Sequence, residues 1–295
     1  MLYGCQIWGA DFITADLAKT LKNPFSQLQL SFLRFVTGAS KSVDKQVLLT
    51  DCGQLPLPCL WAHILGRFWN NLSKSNNGTI SQTVLKANLL LAMSGCVSCW
   101  SSKVLSICQH VDPAQLDGVD NLELMHLQSK RLASSMLNKL YPSADNLLDP
   151  RTAPSKGVAL CIYNAWFRTD ITEGLPAHIS CQNIPESQHK LLMRFRLGCG
   201  HVATNTGRHC SPKDKVPRGQ RLCAIPGCDE VEDEKHVIFE CKAYDCLRSS
   251  SVFKPLFQTN VACCMRVFMN NLDQLIVAQF LNELFKIRYK VLRNN

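Results

Sequence analysis

Three cysteines and one histidine stand close together in the last third of the sequence. Cys223, Cys228, His236 and Cys241 form the pattern C-x4-C-x7-H-x4-C, which spans 19 residues. Thiolate sulfur and imidazole nitrogen are the ligands that zinc prefers, and four of them close a tetrahedral structural site. The spacing therefore predicts a zinc site with these four ligands. The alternative is a set of buried cysteines beside a surface histidine, with no metal.

The residues between the ligands set conditions on the local backbone. Pro226 and Gly227 predict a tight turn that lets the first two sulfurs face one ion. His236 and Cys241 are five residues apart, so on an ideal helix their side chains would diverge by about 140°. One of them must then lie at a helix end or in an irregular turn. Metal binding in finger peptides is worth about 10–16 kcal/mol, so the ion is expected to specify the local fold.

Two further cysteine and histidine groups are weaker candidates. One is the CxxC pair Cys96 and Cys99, which lies in an apolar stretch near Cys108 and His110. Because no basic neighbour would lower a thiol pKa there, we expect buried structural cysteines; a second metal site or a redox role is the alternative. The other group is Cys199, His201, His209 and Cys210. It would form a second site or substitute for a ligand, against the alternative of histidines that only face solvent.

A basic segment precedes the cysteine pattern, with eight basic residues and one acid between residues 187 and 221. The basic residues are Lys190, Arg194, Arg196, Arg208, Lys213, Lys215, Arg218 and Arg221. Arginine guanidinium groups bind phosphate, and the interleaved aromatic and histidine rings suit stacking on bases. The segment therefore predicts contacts with RNA or DNA. The alternative is an ordinary solvated surface.

The cysteine pattern itself is acidic. Residues 222–245 hold seven acids and two basic residues, and residues 246–295 are basic again, with seven against two. The run Asp229 to Glu234 is expected to be a hydrated cluster that repels phosphate, so nucleic acid would contact the basic flanks. A different class of function is also open: the metal site is a scaffold, and its acidic face docks a basic protein.

Motifs for catalysis are absent from the sequence. It contains no phosphate-binding glycine loop, no Gly-x-Ser-x-Gly elbow, no HExxH pair and no paired carboxylates in an apolar setting. A closed set of four ligands also leaves no position for a reactive water on the metal. We therefore expect that the chain is not an enzyme.

The elements that must position these residues are predicted to be mainly α. Apolar residues recur at helical spacing over residues 24–37, 59–72, 121–140 and 271–295. The predicted fold is a helical N-terminal portion, a small zinc-stabilised CCHC module and a C-terminal helix. We divide the chain into segments 1–75, 76–185 and 186–295, where the last is the basic region with the zinc finger.

The apolar stretch 87–102 is predicted to be a buried helix, because it is shorter than the roughly 20 residues of a membrane span. No membrane partner is expected. The first residues carry no basic leader with an apolar run, so a cytoplasmic or nuclear location is expected.

Several motifs occur in an order that resembles a known family. They are LYG at 2–4 with WG at 8–9, Arg34 and Gly38 in a helix and turn, DCGQLPL at 51–57, RFW at 67–69, LLMRFRLGCG at 191–200, and the stretch from RLC at 221 through HVIFEC to Tyr244. This order resembles the C-terminal region of a non-LTR (LINE-type) retrotransposon polyprotein, which follows the reverse transcriptase core and contains a CCHC cysteine-rich motif.

The resemblance implies a role in handling template RNA or target DNA, with the reverse transcriptase core of the parent element as a further partner. The polymerase of that family uses a Tyr-x-Asp-Asp motif, which this chain lacks, and the endonuclease motifs are missing too. The resemblance thus implies an accessory region that is catalytically inactive alone. Because the chain begins with Met inside the family pattern, a truncated element or a gene fragment is expected.

Overall fold

The computed structural model describes residues 3–14, 16–76, 78–141, 158–168, 175–206, 216–258 and 264–293. They belong to two compact units. Unit 1 comprises residues 1–29 and 55–144, and unit 2 comprises residues 30–54 and 145–295. The two units are described separately below.

The chain is built from helices, as predicted, and within the described residues no β-strand is present. The α-helices are α1 Cys5–Trp8, α2 Leu17–Thr20, α3 Pro24–Thr37, α4 Lys45–Asp51, α5 Leu57–Ser73, α6 Ile80–Met93, α7 Trp100–Val111, α8 Ser129–Leu140, α9 Val158–Ile162, α10 Ala177–Ser180, α11 Glu186–Arg196, α12 Ala203–Thr206, α13 Asp245–Arg248, α14 Met265–Asn270 and α15 Gln274–Arg293. Residues 163–167 and 236–240 form two π-helical turns, and short 3-10 turns occur elsewhere.

Unit 1 is organised around α5, which packs along α8. The two helices approach closely at Gly66, where a Cβ atom would lie 2.9 Å from the Cβ of Ser129. Further along α5, the buried Trp69 donates its indole N–H to the backbone oxygen of Met125 at 3.1 Å. The side-chain amide of Asn70 donates to the backbone oxygen of Leu127 and accepts from the N–H of the same residue, both at 2.8 Å. These hydrogen bonds fix the segment before α8 against α5.

Unit 2 is organised around the packing of α11 on α15. Phe195 of α11 meets Phe285 of α15 edge to face, with ring centroids 6.1 Å apart. A second aromatic cluster covers the first half of α15 and joins it to the segments before it. Its rings are Phe239, Phe253, Phe257, Phe268 and Phe280. The long apolar face of α15 is therefore the centre of the unit 2 core.

A buried ion pair connects α4 to α11 inside unit 2. Asp51 and Arg196 are both at most 1% exposed, and the Asp51 carboxylate accepts hydrogen bonds from Arg196 at 2.8–2.9 Å and from the Tyr163 hydroxyl at 3.1 Å. Nε2 of His178 lies 3.0 Å from the backbone oxygen of Asp51. Burial alone would raise the pKa of Asp51, but the charge of Arg196 lowers it well below its ordinary value. The pair is therefore charged and fully desolvated.

The remaining donors of Arg196 are also paired. Its two terminal nitrogens donate to the backbone oxygens of Met269 and Phe167, each at 2.8 Å. One guanidinium thus joins α4, the turn at 163–167 and α14. The sequence prediction that Arg196 contributes to a phosphate-binding surface is wrong, because this side chain has no access to solvent.

Most of the predicted helices are confirmed. The bounds of α3 match the prediction, α5 extends one or two residues beyond it at each end, and α15 covers most of the predicted final helix. The helix predicted over 121–140 begins only at Ser129, after a 3-10 turn. The apolar stretch 87–102 is not one helix, because Gly95 adopts φ of 90° in a turn between α6 and α7.

Most of the apolar face that the sequence predicts for α3 is exposed. Leu28, Phe32 and Phe35 are 56%, 60% and 82% exposed, whereas the polar Gln29 is buried. The amide of Gln29 donates to the backbone oxygen of Leu55 at 2.9 Å and accepts from the N–H of Leu57 at 3.2 Å. This helix therefore buries the side chain that satisfies the backbone before α5.

The two units do not follow the three segments that the sequence analysis proposes. Unit 1 takes residues from both the first and the second segment, because α5 at 57–73 packs on α8 at 129–140. Residues 30–54 belong to unit 2, where Asp51 binds Arg196. Within the described residues, no helix has both the length and the apolar character needed to cross a membrane.

Replacing Asp51 by alanine is expected to destabilise unit 2 by about 3–5 kcal/mol, because the Arg196 guanidinium would stay buried without its counter-charge. Urea unfolding of the metal-loaded chain at constant metal concentration measures the loss. The matched control is Asp11→Ala, which removes the half-exposed partner of Lys103 and should cost about 0–1 kcal/mol. A loss of only about 0–1 kcal/mol in both variants would show that the buried pair does not stabilise unit 2.

Candidate metal centre

A short hairpin-like turn presents Cys223 and Cys228. Leu222 and Val231 form an isolated antiparallel bridge, and the N–H of Cys223 donates to the backbone oxygen of Glu230 at 2.8 Å. Gly227 has φ of 74°, a conformation that glycine adopts without steric cost, and the N–H of Cys228 closes the turn on Ile225 at 3.2 Å. The predicted turn at residues 226–227 is therefore present.

The π-helical turn at 236–240 presents His236 and Cys241. His236 begins this turn, and the N–H of Cys241 donates to the backbone oxygen of His236 at 2.8 Å, an i to i+5 hydrogen bond. The wider turn brings both side chains to one side, which an ideal α-helix would not do. Asp233 accepts from the N–H of His236 at 2.8 Å and fixes the start of the turn. The expected irregular turn is confirmed.

The four side chains converge on one point. One ligand atom of each residue lies within 4.8 Å of the others, and Cys228 Sγ is 3.4 Å from His236 Nε2. Cys223, His236 and Cys241 are buried, while Cys228 is partly exposed. A tetrahedral site with metal–ligand bonds of about 2.0–2.3 Å needs ligand atoms roughly 3.3–3.8 Å apart. The group could therefore hold one metal ion after small side-chain adjustments.

The chemistry of the donors fits a cation. Burial raises the pKa of the Cys223 and Cys241 thiols, and the neighbouring Glu232 and Cys228 raise them further. Without a positive partner these thiols stay protonated at neutral pH, whereas a bound metal ion deprotonates its thiol ligands. The Nδ1 atom of His236 is buried without a hydrogen bond within the described residues, and the Glu240 carboxylate lies 3.8 Å from it. Glu240 can orient the ring when Nε2 binds a metal.

Glu232 accepts a hydrogen bond from the cysteine turn, a structural role that its place in the acidic run does not predict. Its carboxylate is fully buried and accepts hydrogen bonds from the N–H groups of Ala203 at 2.7 Å and Ala224 at 3.1 Å. Arg288 of α15 donates to it at 2.6 Å and also donates to the backbone oxygen of His201 at 2.9 Å. The residue after the first cysteine ligand is thereby tied to α12 and α15.

The acidic run is only in part the hydrated cluster that the sequence predicts, because Asp229 and Glu230 are exposed whereas the other three acids are buried. Glu232, Asp233 and Glu234 are at most 3% exposed. Glu234 accepts from the Asn205 amide at 2.7 Å and lies 3.6 Å from Arg218, while burial raises its pKa. These three acids are internal hydrogen-bond acceptors, so the charges of the run that can still repel phosphate are those of Asp229 and Glu230.

The structure places the predicted basic residues in different environments. Arg208, Lys213 and Lys215 lie outside the described residues. Arg218 lies against Glu234, and Arg221 donates to the backbone oxygen of Val216 at 2.9 Å. Lys190 of α11 is partly exposed and pairs with Glu186 at 2.6 Å.

Arg194 is part of a cluster that joins α11 to α15. Its guanidinium lies 3.1 Å from His201 Nε2, and the ring of His201 meets that of Tyr289 with centroids 5.7 Å apart. Tyr289 is 40% exposed and lies between Lys286 and Lys290 in the sequence of α15, both of which are exposed. Arg194 and His201 are candidate residues in the sequence, whereas their association with Tyr289 appears only in the fold.

The weaker cysteine and histidine groups do not converge. Within the part of the chain that the structure describes, Cys223, Cys228, His236 and Cys241 are the one group of at least three possible ligands with their ligand atoms together. His201 instead contacts Arg194 and Tyr289, and His209 and Cys210 lie outside the described residues. Cys96 and Cys99 are partly exposed, so the prediction that they are buried is wrong.

The comparisons with known proteins identify no relative. No family model, no curated protein and no solved structure matches the chain significantly.

Purified protein is expected to carry one metal ion per chain, because one group of four ligands converges. Elemental analysis by mass spectrometry measures the content, and both Cys223→Ser and His236→Ala should lose the ion. The matched control is Cys246→Ser, which changes an exposed cysteine outside the group and should retain it. Metal content that is unchanged in both ligand variants would contradict the assignment of the site.

Proposed function

We propose that this chain is a nucleic-acid-binding region in which one zinc ion holds the binding surface in shape. It binds template RNA or target DNA, as the resemblance to LINE-type reverse transcriptases implies, and it is catalytically inactive alone. The observation that supports this proposal best is the continuous set of contacts from Cys223 to Arg194 and Tyr289.

Zinc is the metal that the donor set favours. Three thiolates and one imidazole are soft ligands, and zinc has no geometric preference that opposes a tetrahedron. The mostly buried ligands also suit a structural ion, since a catalytic zinc keeps one position open for water. In the short segment 222–241 the ion would hold the cysteine turn against the π-helical turn, whose Val237 and Ile238 are buried.

The binding surface that we propose combines Arg194, His201 and Tyr289 with the basic side of α15. Arg194 and Tyr289 flank the His201 ring, so a cation and an exposed aromatic face lie side by side. Stacking of a base on such a ring is worth about 1–3 kcal/mol and depends little on the base. The basic residues of α15 that would meet the phosphates are Lys286, Lys290 and Arg293.

Contacts connect this surface to the metal centre. Ala224, which follows the ligand Cys223, donates to Glu232, and Glu232 binds Arg288. Arg288 donates to the backbone oxygen of His201, whose ring lies between Arg194 and Tyr289. Four successive contacts therefore lead from a metal ligand to the proposed base-stacking residues. Loss of the metal would make the turn that carries Ala224 less rigid. Through Glu232 and Arg288, His201 would then be held less firmly in place.

The burial of three acids of the run weakens an objection to this assignment, although Asp229 and Glu230 remain exposed. Glu232 is neutralised by Arg288, and Asp233 and Glu234 are enclosed, so phosphate would not meet these charges. On α15 the acid closest in sequence to the surface is Glu283, which pairs with Lys286 at 2.7 Å. The exposed charges of α15 next to Tyr289 in the sequence are thus mainly positive.

Binding to single-stranded RNA or DNA should weaken steeply between roughly 50 and 200 mM salt, because each neutralised phosphate releases counterions. Lys290→Ala should reduce the salt slope by about 0.7, and Lys130→Ala, the same change on the exposed face of α8 in unit 1, should leave it unchanged. Fluorescence anisotropy at several salt concentrations gives both slopes.

Tyr289→Ala separates stacking from charge. It should weaken binding about 5-fold to 150-fold at every salt concentration with the slope unchanged, because a ring is lost and a charge is not. Absence of RNA and DNA binding at 50 mM salt would exclude the proposal and favour the protein-interaction role. Equal effects of Lys290→Ala and Lys130→Ala would exclude this surface as the binding site.

Removal of the metal with a chelator is expected to weaken nucleic-acid binding, because the position of His201 depends on the cysteine turn. The same anisotropy assay measures the dissociation constant before chelation, after chelation and after zinc is added back. Affinity should return with zinc in the unaltered chain and should not return in His236→Ala. An unchanged dissociation constant after chelation would show that the surface forms without the ion.

A further inference from the structure

The connection between α6 and α7 displays a pair of cysteines at the surface of unit 1. Cys96 and Cys99 are both partly exposed, and the intervening Val97 is 83% exposed. Other cysteines of this unit differ, since Cys5, Cys59 and Cys108 are buried. The pair is therefore accessible to small molecules in solution.

The backbone holds the two cysteines at a suitable separation for a disulfide bond. Val97 and Ser98 form a turn between them, and Cys99 is the residue immediately before α7. Residues that flank a two-residue turn have Cα atoms less than about 7 Å apart, and disulfides join Cα atoms about 4.4–6.8 Å apart. The Ser102 hydroxyl donates to the backbone oxygen of Cys96 at 2.7 Å and fixes this turn on the first turn of α7.

Hydrogen bonds make Cys96 the more reactive of the two thiols. Its sulfur lies 3.4 Å from the Ser98 hydroxyl. Hydrogen bonding to this hydroxyl, and then to the backbone of Cys99 and Ser98, lowers the pKa of Cys96. Burial raises the pKa of Cys59 and Cys108 to about 12, so those thiols remain protonated. Since the thiolate is the nucleophile, reaction should begin at Cys96.

We propose that Cys96 and Cys99 form a reversible dithiol–disulfide site that exchanges with small-molecule disulfides. The Cys96 thiolate attacks one sulfur of the small disulfide, forms a mixed disulfide and releases one thiolate. The Cys99 thiol then loses its proton and attacks Cys96 Sγ, which forms the Cys96–Cys99 bond and releases the second small thiol. The small disulfide is reduced by two electrons, and the two protein thiols are oxidised by two electrons.

The oxidised form requires little rearrangement. The new bond replaces the contacts that the Cys99 sulfur makes with the Ser102 hydroxyl at 3.3 Å and the Asn88 backbone oxygen at 3.5 Å. It closes a loop of only four residues, which constrains the unfolded chain much less than a long loop does. The reduced and oxidised forms are then close in stability, and the site responds to the surrounding thiol–disulfide balance.

The test uses the zinc-loaded full chain and oxidised glutathione as the probe, followed by alkylation, trypsin digestion without reduction and mass spectrometry. Residues 87–103 form one tryptic peptide in which Cys96 and Cys99 are the only cysteines. This peptide should lose two hydrogens in mass and resist alkylation, and dithiothreitol should reverse both changes. The exposed Cys246 is the internal control and should form a glutathione mixed disulfide without losing two hydrogens.

Two variants test the order of the steps. Cys99→Ser should accumulate glutathione on Cys96, because no second thiol resolves the mixed disulfide. Cys96→Ser should acquire glutathione on Cys99 at least several-fold more slowly. A peptide that stays fully reduced while Cys246 reacts would overturn the proposal, and so would equal rates in the two variants. Neither outcome depends on nucleic-acid binding, so failure here is distinct from failure of the proposed function.

Discussion

The carboxylate of Glu232 is the constraint on which the C-terminal part of unit 2 depends. A buried carboxylate costs several kcal/mol unless its oxygens are paired, and here the donors are Ala203, Ala224 and Arg288. They belong to α12, the cysteine turn and α15, which are far apart in the sequence. Satisfying one side chain therefore requires these three elements to assemble together. The candidate metal ligands and the proposed nucleic-acid surface lie on opposite sides of this carboxylate in the series of contacts.

The local part of the site could be predicted from the sequence. All four candidate ligands lie within 19 residues, so their types and spacing alone suggested that they converge. The turn at Gly227 and the irregular turn after His236 follow from steric and helical rules that need no tertiary information. The helices α3 and α5 were predictable for the same reason, since periodicity and proline positions are local signals.

The errors arise where a partner is distant in the sequence. A charge count treats every arginine as a surface residue. In the fold, Arg196 pairs with Asp51, which is 145 residues away in the sequence, and Arg288 pairs with Glu232, which is 56 residues away. No sequence pattern indicates either pair, and both arginines are buried. The face of α3 was misjudged similarly, because Gln29 is buried to satisfy Leu55 and Leu57. A count of basic residues therefore overestimates the positive charge that a ligand can contact, and a count of acidic residues overestimates the repulsion of phosphate.

The pairing of Asp51 with Arg196 also has a consequence for how the chain folds during synthesis. At about 5–20 residues per second, a ribosome needs roughly 7–30 s to make the 145 residues that separate the two partners. During that interval α4 lacks the counter-charge for Asp51, and until residue 162 is made it also lacks its packing partner α9. The residues of unit 1 that lie between them in the sequence can meanwhile fold on their own neighbours, since α5 and α8 are both complete by residue 140. Unit 2 is thus the half that is completed last, and its earliest segment waits longest for its partners.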